Sequence, residues 1–312
     1  MTTIKPNTEA FEREILVAPS GFREYDARWL YPEQFNLRGA QALGMGLGTI
    51  VKDVCKTPKL AGGHDYRSYS PAIKMAMVSG LMAAGCEVKD IGLALSPVAY
   101  YAQFALDCPA VAMVTASHNE NGWTGVKMGA ERPLTFGPEL MGRLRDTVLN
   151  KTWKLTGGGS YEYIDNFKDV YLKDVTRDGK IKRKLKVVVA CGNGTAGAYA
   201  PQALEMIGCE VIRMDCELDY TFPRYNPNPE DLEMLHAVSH KVKEVGADIG
   251  LAFDGDGDRC GVVDNTGDEI FADKVGVILA RDLAKIYKNP TFVVDVKSTG
   301  LCHSDPVLNE LG

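Results

Sequence analysis

The chain has 312 residues, of which 45% are hydrophobic and 24% are charged, and its formal net charge at pH 7 is −6. Because domains average roughly 150 residues, this length predicts two domains or more, and the ordinary composition excludes an intrinsically disordered chain. The acidic total charge argues against nucleic acid or an anionic membrane as the main partner, since both select a basic surface.

The N-terminus and the cysteines indicate the compartment. The first ten residues are polar and lack the apolar core of a signal peptide, and no apolar stretch in the sequence is long enough to span a bilayer. The eight cysteines form no C-x-x-C pair, and several lie in apolar runs. This usage favours buried thiols in a reducing compartment over disulfides or a zinc site. We therefore predict a cytoplasmic protein; the sequence carries no signal for its oligomeric state.

The first predicted elements alternate between helix and strand, which is typical of α/β architecture. A helical pattern at 70–84 ends at Gly85, and an apolar strand follows at 86–91. Ser96 and Pro97 are predicted to open the next helix as its N-cap and first-turn residue. This order places several strands side by side with helices packed on them.

A serine loop follows the next predicted strand. Residues 110–115 form an apolar strand that leads directly into Ser117, and the carboxyl ends of such strands are where α/β sheets usually bind ligands. His118 is adjacent and can orient or deprotonate the serine, while Lys127 can neutralise a phosphate. The G-x-S-x-G motif of serine hydrolases is absent, because Ala116 and His118 flank the serine.

A second unit begins after the glycines at 157–159, which are typical of a linker. It contains a predicted strand at 186–190, a glycine-rich turn at 191–197, a helix at 199–207 and a strand at 209–214. The pattern is that of the first unit.

Two joints between helix and strand repeat the same four residues. The sequence G-C-E-V occurs at 85–88 and again at 208–211, each time after an apolar helix end. The match predicts tandem duplicated βαβ-type domains with mixed sheets. A third copy begins with a helix at 274–288 and a strand at 291–296, and we expect it to be incomplete. The predicted domains are therefore 1–156, 157–268 and 269–312.

An acidic loop with the sequence D-G-D-G-D-R follows the apolar strand predicted at 249–253. Asp254, Asp256 and Asp258 are spaced two apart, so in extended backbone their carboxylates converge on one point. Three such anions need a cation, and an all-oxygen ligand set favours Mg²⁺. Arg259 can contact a phosphate bound to the same ion. An EF-hand does not fit, because Arg259 occupies the position where that motif needs glycine.

The two loops in combination resemble the α-D-phosphohexomutase superfamily, in particular the bacterial phosphomannomutase/phosphoglucomutase family. Three further segments agree with the resemblance: G-F-R-E-Y-D at 21–26, G-H-D-Y-R at 63–67, and D-V-K at 295–297. The resemblance extends from Gly21 to Lys297 and implies a phosphohexomutase-like fold with several domains around one cleft.

The resemblance implies a phosphoryl transfer between the 1- and 6-positions of a hexose phosphate, mannose or glucose, through a phosphoserine and a 1,6-bisphosphate intermediate. Glucose or mannose 1,6-bisphosphate would be the activator and Mg²⁺ the metal. Phosphoglucosamine mutase is the alternative. The implied residues are Ser117, His118, Lys127 and Arg23 for catalysis, Arg259, Lys297 and Asn119 for binding substrate or phosphate, and Ser117, Asp254, Asp256 and Asp258 for the metal.

Two departures and two rival functions stay open at this point. The family's G-E-x-S-G-H sugar-recognition loop and its C-terminal domain are not in the sequence, so we expect the 312-residue chain alone to turn over weakly.

A haloacid-dehalogenase-type phosphotransferase would use Asp254 as the nucleophile, although Asp258 departs from that motif. A non-catalytic module that binds a sugar phosphate or a metal is the other rival.

Overall fold

The computed structural model describes residues 5–179 and 181–311, which form an α/β structure with two mixed sheets. This confirms the predicted fold class. The strands are β1 (Asp26–Leu30), β2 (Lys59–His64), β3 (Glu87–Leu93), β4 (Ala110–Val114), β5 (Trp123–Gly129), β6 (Ser160–Tyr163), β7 (Lys186–Ala190), β8 (Glu210–Met214), β9 (Ile249–Phe253), β10 (Cys260–Asp264) and β11 (Glu269–Ile270).

Eleven α-helices lie in the same part of the chain. They are α1 (Glu9–Arg13), α2 (Leu37–Val54), α3 (Ser70–Ala83), α4 (Ser96–Ala105), α5 (Pro138–Leu149), α6 (Phe167–Thr176), α7 (Ala200–Met206), α8 (Leu232–Val245), α9 (Ala272–Ile286), α10 (Leu301–Ser304) and α11 (Pro306–Leu311). Among the described helices, none is both long and apolar enough to cross a membrane.

The first sheet has six strands in the order β1-β5-β4-β2-β3-β6. Strands β4, β2, β3 and β6 run parallel to one another, whereas β5 is antiparallel to both β4 and β1. All five residues of β4 are buried, as expected for a strand that is covered on both faces. The carboxyl end of β4 carries the serine loop.

The second sheet has five strands in the order β11-β10-β9-β7-β8. Here β7 is parallel to β8 and β9, and β10 is antiparallel to β9 and β11. The carboxyl end of β9 carries the aspartate loop. In both sheets the functional loop therefore follows a strand that lies inside the sheet and not at its edge.

The duplicated βαβ unit is confirmed by two joints with the same geometry. Gly85 and Gly208 end their helices with φ angles of +96° and +100°, in the left-handed region that glycine adopts without a Cβ clash. The N–H groups of Cys86 and Cys209 each donate to the carbonyl group five residues earlier. The following strands, β3 and β8, then pair in parallel with β2 and β7.

One hydrophobic core joins the two sheets. Val98 and Ala99 of α4 pack in the same buried cluster as Val187 and Val189 of β7, and all four side chains are essentially inaccessible. Burial of this apolar surface holds the two units together, at about 25 cal/mol for each Å² removed from water. The two functional loops are therefore carried by sheets that share a core.

The glycines at 157–159 lie at a turn, because Gly157 and Gly158 have positive φ angles. Strand β6 follows them, yet it pairs with β3 and belongs to the first sheet. The chain changes sheets between Tyr163 and Lys186. The boundary between the first two domains stays a prediction, and the course of β6 indicates a position later than the glycines.

The strand predicted at 291–296 is wrong. These residues are irregular, and the side chains of Val293 and Val296 are 95% and 96% exposed. A strand exists only where a neighbour accepts and donates its backbone hydrogen bonds, and within 5–179 and 181–311 no strand runs beside this segment. The helix predicted before it is present as α9.

Candidate active site

The serine loop is held in a conformation that few residues adopt. Ser117 has a φ angle of +55°, in the left-handed region, and is 1% exposed. A non-glycine residue in this region costs of order 1 kcal/mol or more unless its surroundings impose it. Its N–H donates to Thr115 Oγ1 at 2.9 Å, and its carbonyl accepts from Arg67 Nη2 at 3.1 Å. The fold thus fixes the backbone on both sides of the hydroxyl.

The G-H-D-Y-R segment provides that support. Arg67 and Asp65 form an ion pair whose two side chains are each 1% exposed, and Asp65 Oδ1 also accepts from Ser70 Oγ at 2.6 Å. Arg67 Nη2 additionally donates to the carbonyl of Asn119 at 2.6 Å. The G-H-D-Y-R segment therefore supports the backbone of the serine loop through Arg67. Neither Asp65 nor Arg67 was among the predicted site residues.

Arg28 reaches the serine loop as Arg67 does, whereas the catalytic role of Arg23 stays a prediction. Arg28 Nη1 donates to the carbonyl of Ala116 at 3.3 Å and also contacts Asn119 Oδ1. The side chain of Arg23 is exposed and makes no hydrogen bond or ion pair with the described parts of the chain. The alternation along β1 was the available signal, because Arg28 is the polar residue between buried Ala27 and Trp29.

The aspartate loop brings its three carboxylates together. One oxygen from each of Asp254, Asp256 and Asp258 lies within 4.8 Å of the others; the first two residues are buried and the third is exposed. Asp254 Oδ1 accepts the N–H groups of Asp258 and Arg259 at 3.0 and 3.1 Å. Its other oxygen, Oδ2, accepts from Ser117 Oγ at 3.2 Å. The hydroxyl of one sheet and the carboxylates of the other therefore meet in one site.

Lys127 of β5 balances part of this negative charge. Its Nζ lies 2.7 Å from Asp256 Oδ2 and 2.5 Å from Asp258 Oδ2. Burial alone would lower the pKa of Lys127, but the two carboxylates raise it above its ordinary value. Burial and the charges of Asp256 and Asp258 together raise the pKa of Asp254 to about 8. The site thus holds more negative charge than its own lysine neutralises.

The donor set fits a hard divalent cation. Asp256 Oδ1 is buried and has no hydrogen-bond partner in the described chain, so it has a lone pair to offer. Three carboxylate oxygens beside the Ser117 hydroxyl are ligands that Mg²⁺ prefers, and they leave positions for other oxygens. The residues therefore suit the predicted metal.

A glycine allows the two loops to approach. A Cβ atom at Gly255 would lie 2.6 Å from the carbonyl oxygen of Ser117, closer than real contacts allow. The carbonyl of Gly255 also accepts the N–H of Thr195, from the glycine-rich turn after β7. The glycines between the aspartates thus serve close packing between sheets as well as the turn.

Ser96 has a different role from the predicted N-cap. Leu95 is the N-cap of α4, and Ser96 is the first helical residue. The Ser96 hydroxyl donates to Asp256 Oδ2 at 2.5 Å, and its N–H donates to the carbonyl of Asp256 at 2.9 Å. A hydroxyl that binds a carboxylate from the second sheet is not free to cap its own helix. No local signal in the sequence points to this contact.

The structure also places the predicted residues His118, Asn119 and Arg259. His118 Nδ1 is 3.4 Å from Ser117 Oγ, and burial followed by the charge of Arg259 lowers the pKa of His118. Asn119 is close by, but its oxygens are engaged by Arg67 and Arg28. Arg259 Nη1 pairs with Glu230 Oε1 at 2.8 Å.

Lys297 lies in the segment that follows α9. It lines a cavity of about 1130 Å³ beside α9, and Glu230, the partner of Arg259, lines the same cavity. Within the described chain no hydrogen bond or ion pair joins the Lys297 side chain to the serine or aspartate loop. Its role as a substrate contact stays a prediction.

Two family models match this chain. The model for phosphoglucomutase/phosphomannomutase alpha/beta/alpha domain I matches residues 19–154, and the model for domain II matches residues 161–267. The first match contains the serine loop and the second contains the aspartate loop. Together the two matches cover most of the sequence.

Curated relatives also match most of the chain. A phosphomannomutase/phosphoglucomutase of Pseudomonas putida is 39% identical over 282 residues, covering 89% of this chain and 59% of that relative. Phosphohexose mutases of Xanthomonas campestris pv. campestris are 36% identical over 250 residues, covering 79% of this chain and 55% of the relative. This chain therefore spans less than two thirds of the length of these relatives.

A solved structure shows the same fold. The crystal structure of a phosphoglucomutase/phosphomannomutase family protein from Burkholderia thailandensis aligns with a TM-score of 0.90 at 31% identity. The alignment covers 95% of this chain and 65% of that chain.

Proposed function

The chain belongs to the phosphoglucomutase/phosphomannomutase family, and from that premise we propose that it serves a phosphohexomutase, an intramolecular phosphotransferase acting on a hexose phosphate. The observation that carries the proposal is the meeting of Ser117 Oγ and Asp254 Oδ2 at 3.2 Å. A hydroxyl nucleophile and a carboxylate cluster in one buried site suit transfer of a phosphoryl group. The predicted domains and the cytoplasmic location belong to the same proposal.

The reaction moves one phosphoryl group at a time. Phosphorylated Ser117 gives its phosphoryl group to the free hydroxyl of a hexose 1- or 6-phosphate, so the phosphorus–Oγ bond breaks and a phosphorus–sugar bond forms. The sugar hydroxyl releases its proton to a base or to solvent. Ser117 Oγ regains a proton, which His118 can supply from 3.4 Å away. The resulting 1,6-bisphosphate then returns its other phosphoryl group to Ser117.

The surrounding residues divide the remaining work. Lys127 is held protonated by two carboxylates, so it neutralises charge and is a poor base. Asp254, Asp256 and Asp258 would hold Mg²⁺, which when bound offsets the negative charge of the transferring group. The fixed backbone of Ser117 supplies the positioning on which phosphoryl transfer depends. Arg259 directly follows Asp258, so its guanidinium can bind a phosphate at the metal once its ion pair with Glu230 is broken.

The substrate is proposed as mannose or glucose phosphate, with glucosamine phosphate as the alternative. Glucose or mannose 1,6-bisphosphate is proposed as the activator, because it can donate the phosphoryl group that first modifies Ser117. The segment that would discriminate between sugars, of the form G-E-x-S-G-H, is not in this sequence. Mutase assays with each sugar phosphate, on this chain and on one with the family's further domains, would rank the candidates.

Phosphopeptide mapping tests the proposal directly. The protein is incubated with Mg²⁺ and glucose 1,6-bisphosphate, and the phosphorylated residue is located by mass spectrometry. Phosphate on Ser117, absent from Ser117→Ala, is the expected result. Phosphate on Asp254 would instead identify a haloacid-dehalogenase-type transferase. No phosphate on either residue would favour a non-catalytic module that binds a sugar phosphate or a metal.

Geometry already weighs against Asp254 as the nucleophile. Its Oδ1 accepts two backbone N–H groups, and its Oδ2 faces the Ser117 hydroxyl. Burial and neighbouring charges also raise the pKa of Asp254 to about 8, which disfavours the carboxylate form without a cation. The arrangement suits a metal ligand better than a phosphoryl acceptor.

A further inference from the structure

A loop of the second sheet touches both functional loops. Residues 215–231, called the bridging loop below, connect β8 to α8. Asn226 Nδ2 donates to the carbonyl of His118 at 2.5 Å. In the opposite direction, Asn121 Nδ2 donates to the carbonyl of Tyr220 at 2.5 Å. Two amide side chains thus join the bridging loop to the serine loop.

The residue after Asn226 contacts the aspartate loop. The carbonyl of Pro227 accepts the N–H of Gly255 at 3.1 Å. Pro227 also packs against Gly192, where a Cβ atom would lie 2.9 Å from the proline Cα. Two consecutive residues of the bridging loop therefore hold the residue next to Ser117 and the residue next to Asp254.

The Asn226 side chain makes one hydrogen bond with the described residues, through Nδ2. Its Oδ1 is buried and has no partner among residues 5–179 and 181–311. The amide therefore contributes through its Nδ2 bond to His118 alone. Because Nδ2 is the donor in this bond, a side chain of the same shape without a donor removes the bond, and a second side chain that restores a neutral donor tests whether the donor is what matters.

We propose that Asn226 is a positioning residue that sets the Ser117 hydroxyl relative to the aspartate loop through the carbonyl of His118. The inference rests on the proposed phosphoryl transfer through Ser117. Ser117 is held in a strained conformation, and Arg67 holds its carbonyl from the first sheet only. Asn226 supplies a restraint on the residue next to Ser117 from the second unit, whose sheet carries the metal ligands. A misplacement of about 1 Å can cost about a hundredfold in rate, so this restraint acts on the transfer step.

Three variants test the role of the donor. Asn226→Asp keeps the shape and removes the N–H donor, whereas Asn226→His places an Nδ1–H donor at the same distance from the backbone. Thr221→Ala is the matched control, because among residues 5–179 and 181–311 the Thr221 hydroxyl bonds only to Asp219, inside the bridging loop. The rate of Ser117 phosphorylation by glucose 1,6-bisphosphate is followed by intact-mass spectrometry. Amide hydrogen exchange of residues 116–121 is measured on the same samples.

For Asn226→Asp we expect the maximal phosphorylation rate to fall by about tenfold to a hundredfold. The bisphosphate concentration for half-maximal rate stays unchanged, and exchange in the serine loop becomes faster. Asn226→His and Thr221→Ala keep rates and exchange near wild type. A wild-type rate and wild-type exchange in Asn226→Asp would overturn the proposal. So would an Asn226→His or Thr221→Ala protein that is as slow as Asn226→Asp.

The two proposals fail in different ways. If the wild-type protein takes up no phosphate on Ser117, the proposed function fails. Hydrogen exchange then tests the role of Asn226 by itself, because it reports how firmly the serine loop is held without any turnover. Unchanged exchange in Asn226→Asp would overturn it, and faster exchange that Asn226→His restores would support it.

Discussion

The serine loop and the aspartate loop follow strands in equivalent parts of two sheets, but they are held in different ways. Side chains from elsewhere in the first unit, Arg28 and Arg67, bind the carbonyl groups of the serine loop. The aspartate loop is held by its own backbone, whose N–H groups bind Asp254, and by Ser96, which binds Asp256. A neutral loop with a strained nucleophile needs outside restraint, whereas a loop of carboxylates needs outside charge, which Lys127 supplies.

The buried ion pair behind the serine loop should give the largest effect. Arg67→Met leaves Asp65 charged and unpaired in the interior, which costs about 3–5 kcal/mol of unfolding free energy. Urea unfolding measures the loss. The double variant Arg67→Met/Asp65→Asn should recover part of it, because the uncompensated charge is gone. If the single variant is as stable as wild type, the serine loop does not depend on this pair.

The contact between the loops comes next. Gly255→Ala places a Cβ atom against the Ser117 carbonyl, so we expect a loss of about 1–3 kcal/mol together with slower phosphorylation of Ser117. Gly142→Ala in α5 is the control, since a Cβ there meets nothing within 4 Å. That change should stabilise the protein by about 0.5–1 kcal/mol. Thermal unfolding of both variants compares them, and equal stabilities would contradict the close approach.

The charge of the aspartate loop can be changed without touching the serine loop. Lys127→Met removes the cation that balances Asp256 and Asp258, at a cost of about 1–2 kcal/mol without metal. The cost is limited because the carboxylates can bind a proton instead. Mg²⁺ should therefore raise the melting temperature of the variant more than that of wild type. An equal response of the two proteins to Mg²⁺ would speak against a cation site between these carboxylates.

The smallest expected effect is a pH dependence of the free energy of unfolding that comes from His64, the neighbour of the Asp65–Arg67 ion pair. His64 precedes Asp65, and burial lowers its pKa below the ordinary 6.5. The unfolded chain therefore binds a proton first as the pH falls, so this contribution to stability is complete above pH 6.5 and is lost below it. His64→Asn keeps a donor for the Asp65 carbonyl and does not titrate. Urea unfolding at about pH 7.5 and at about pH 5.5 measures the effect. Between these two values we expect the free energy of unfolding to fall less for His64→Asn than for wild type.

Much of the site could be predicted because its signals are local. The D-G-D-G-D-R loop and the serine after an apolar strand follow from spacings within a few residues, and the structure brings the two loops together. The repeated G-C-E-V joint likewise predicted two helix ends with the same left-handed glycine. Local prediction failed for the strand at 291–296, because apolar β-rich composition does not supply the neighbouring strand that a sheet requires.

Other residues were beyond local reasoning. Arg23 and Arg28 are five positions apart, and only Arg23 lies in the segment at 21–26 that resembles the family. The pairing of β1 with β5 brings Arg28 to the serine loop. Ser96 binds a carboxylate that is 160 residues away in sequence, and Asn226 binds a carbonyl that is 108 residues away. Contacts of this kind arise from the packing of two sheets and have no signature in neighbouring residues.

The amino-acid sequence by itself determined the kind of chemistry, because side-chain type and spacing along one strand and its loop decide which atoms can bind a metal or accept a phosphate. Only the tertiary structure decided which supporting residues reach that chemistry. The orientation of Ser117, the charge balance at Lys127 and the position of Asn226 depend on how two sheets share a core. Such packing is a property of the whole surface buried between the units, so no short segment encodes it.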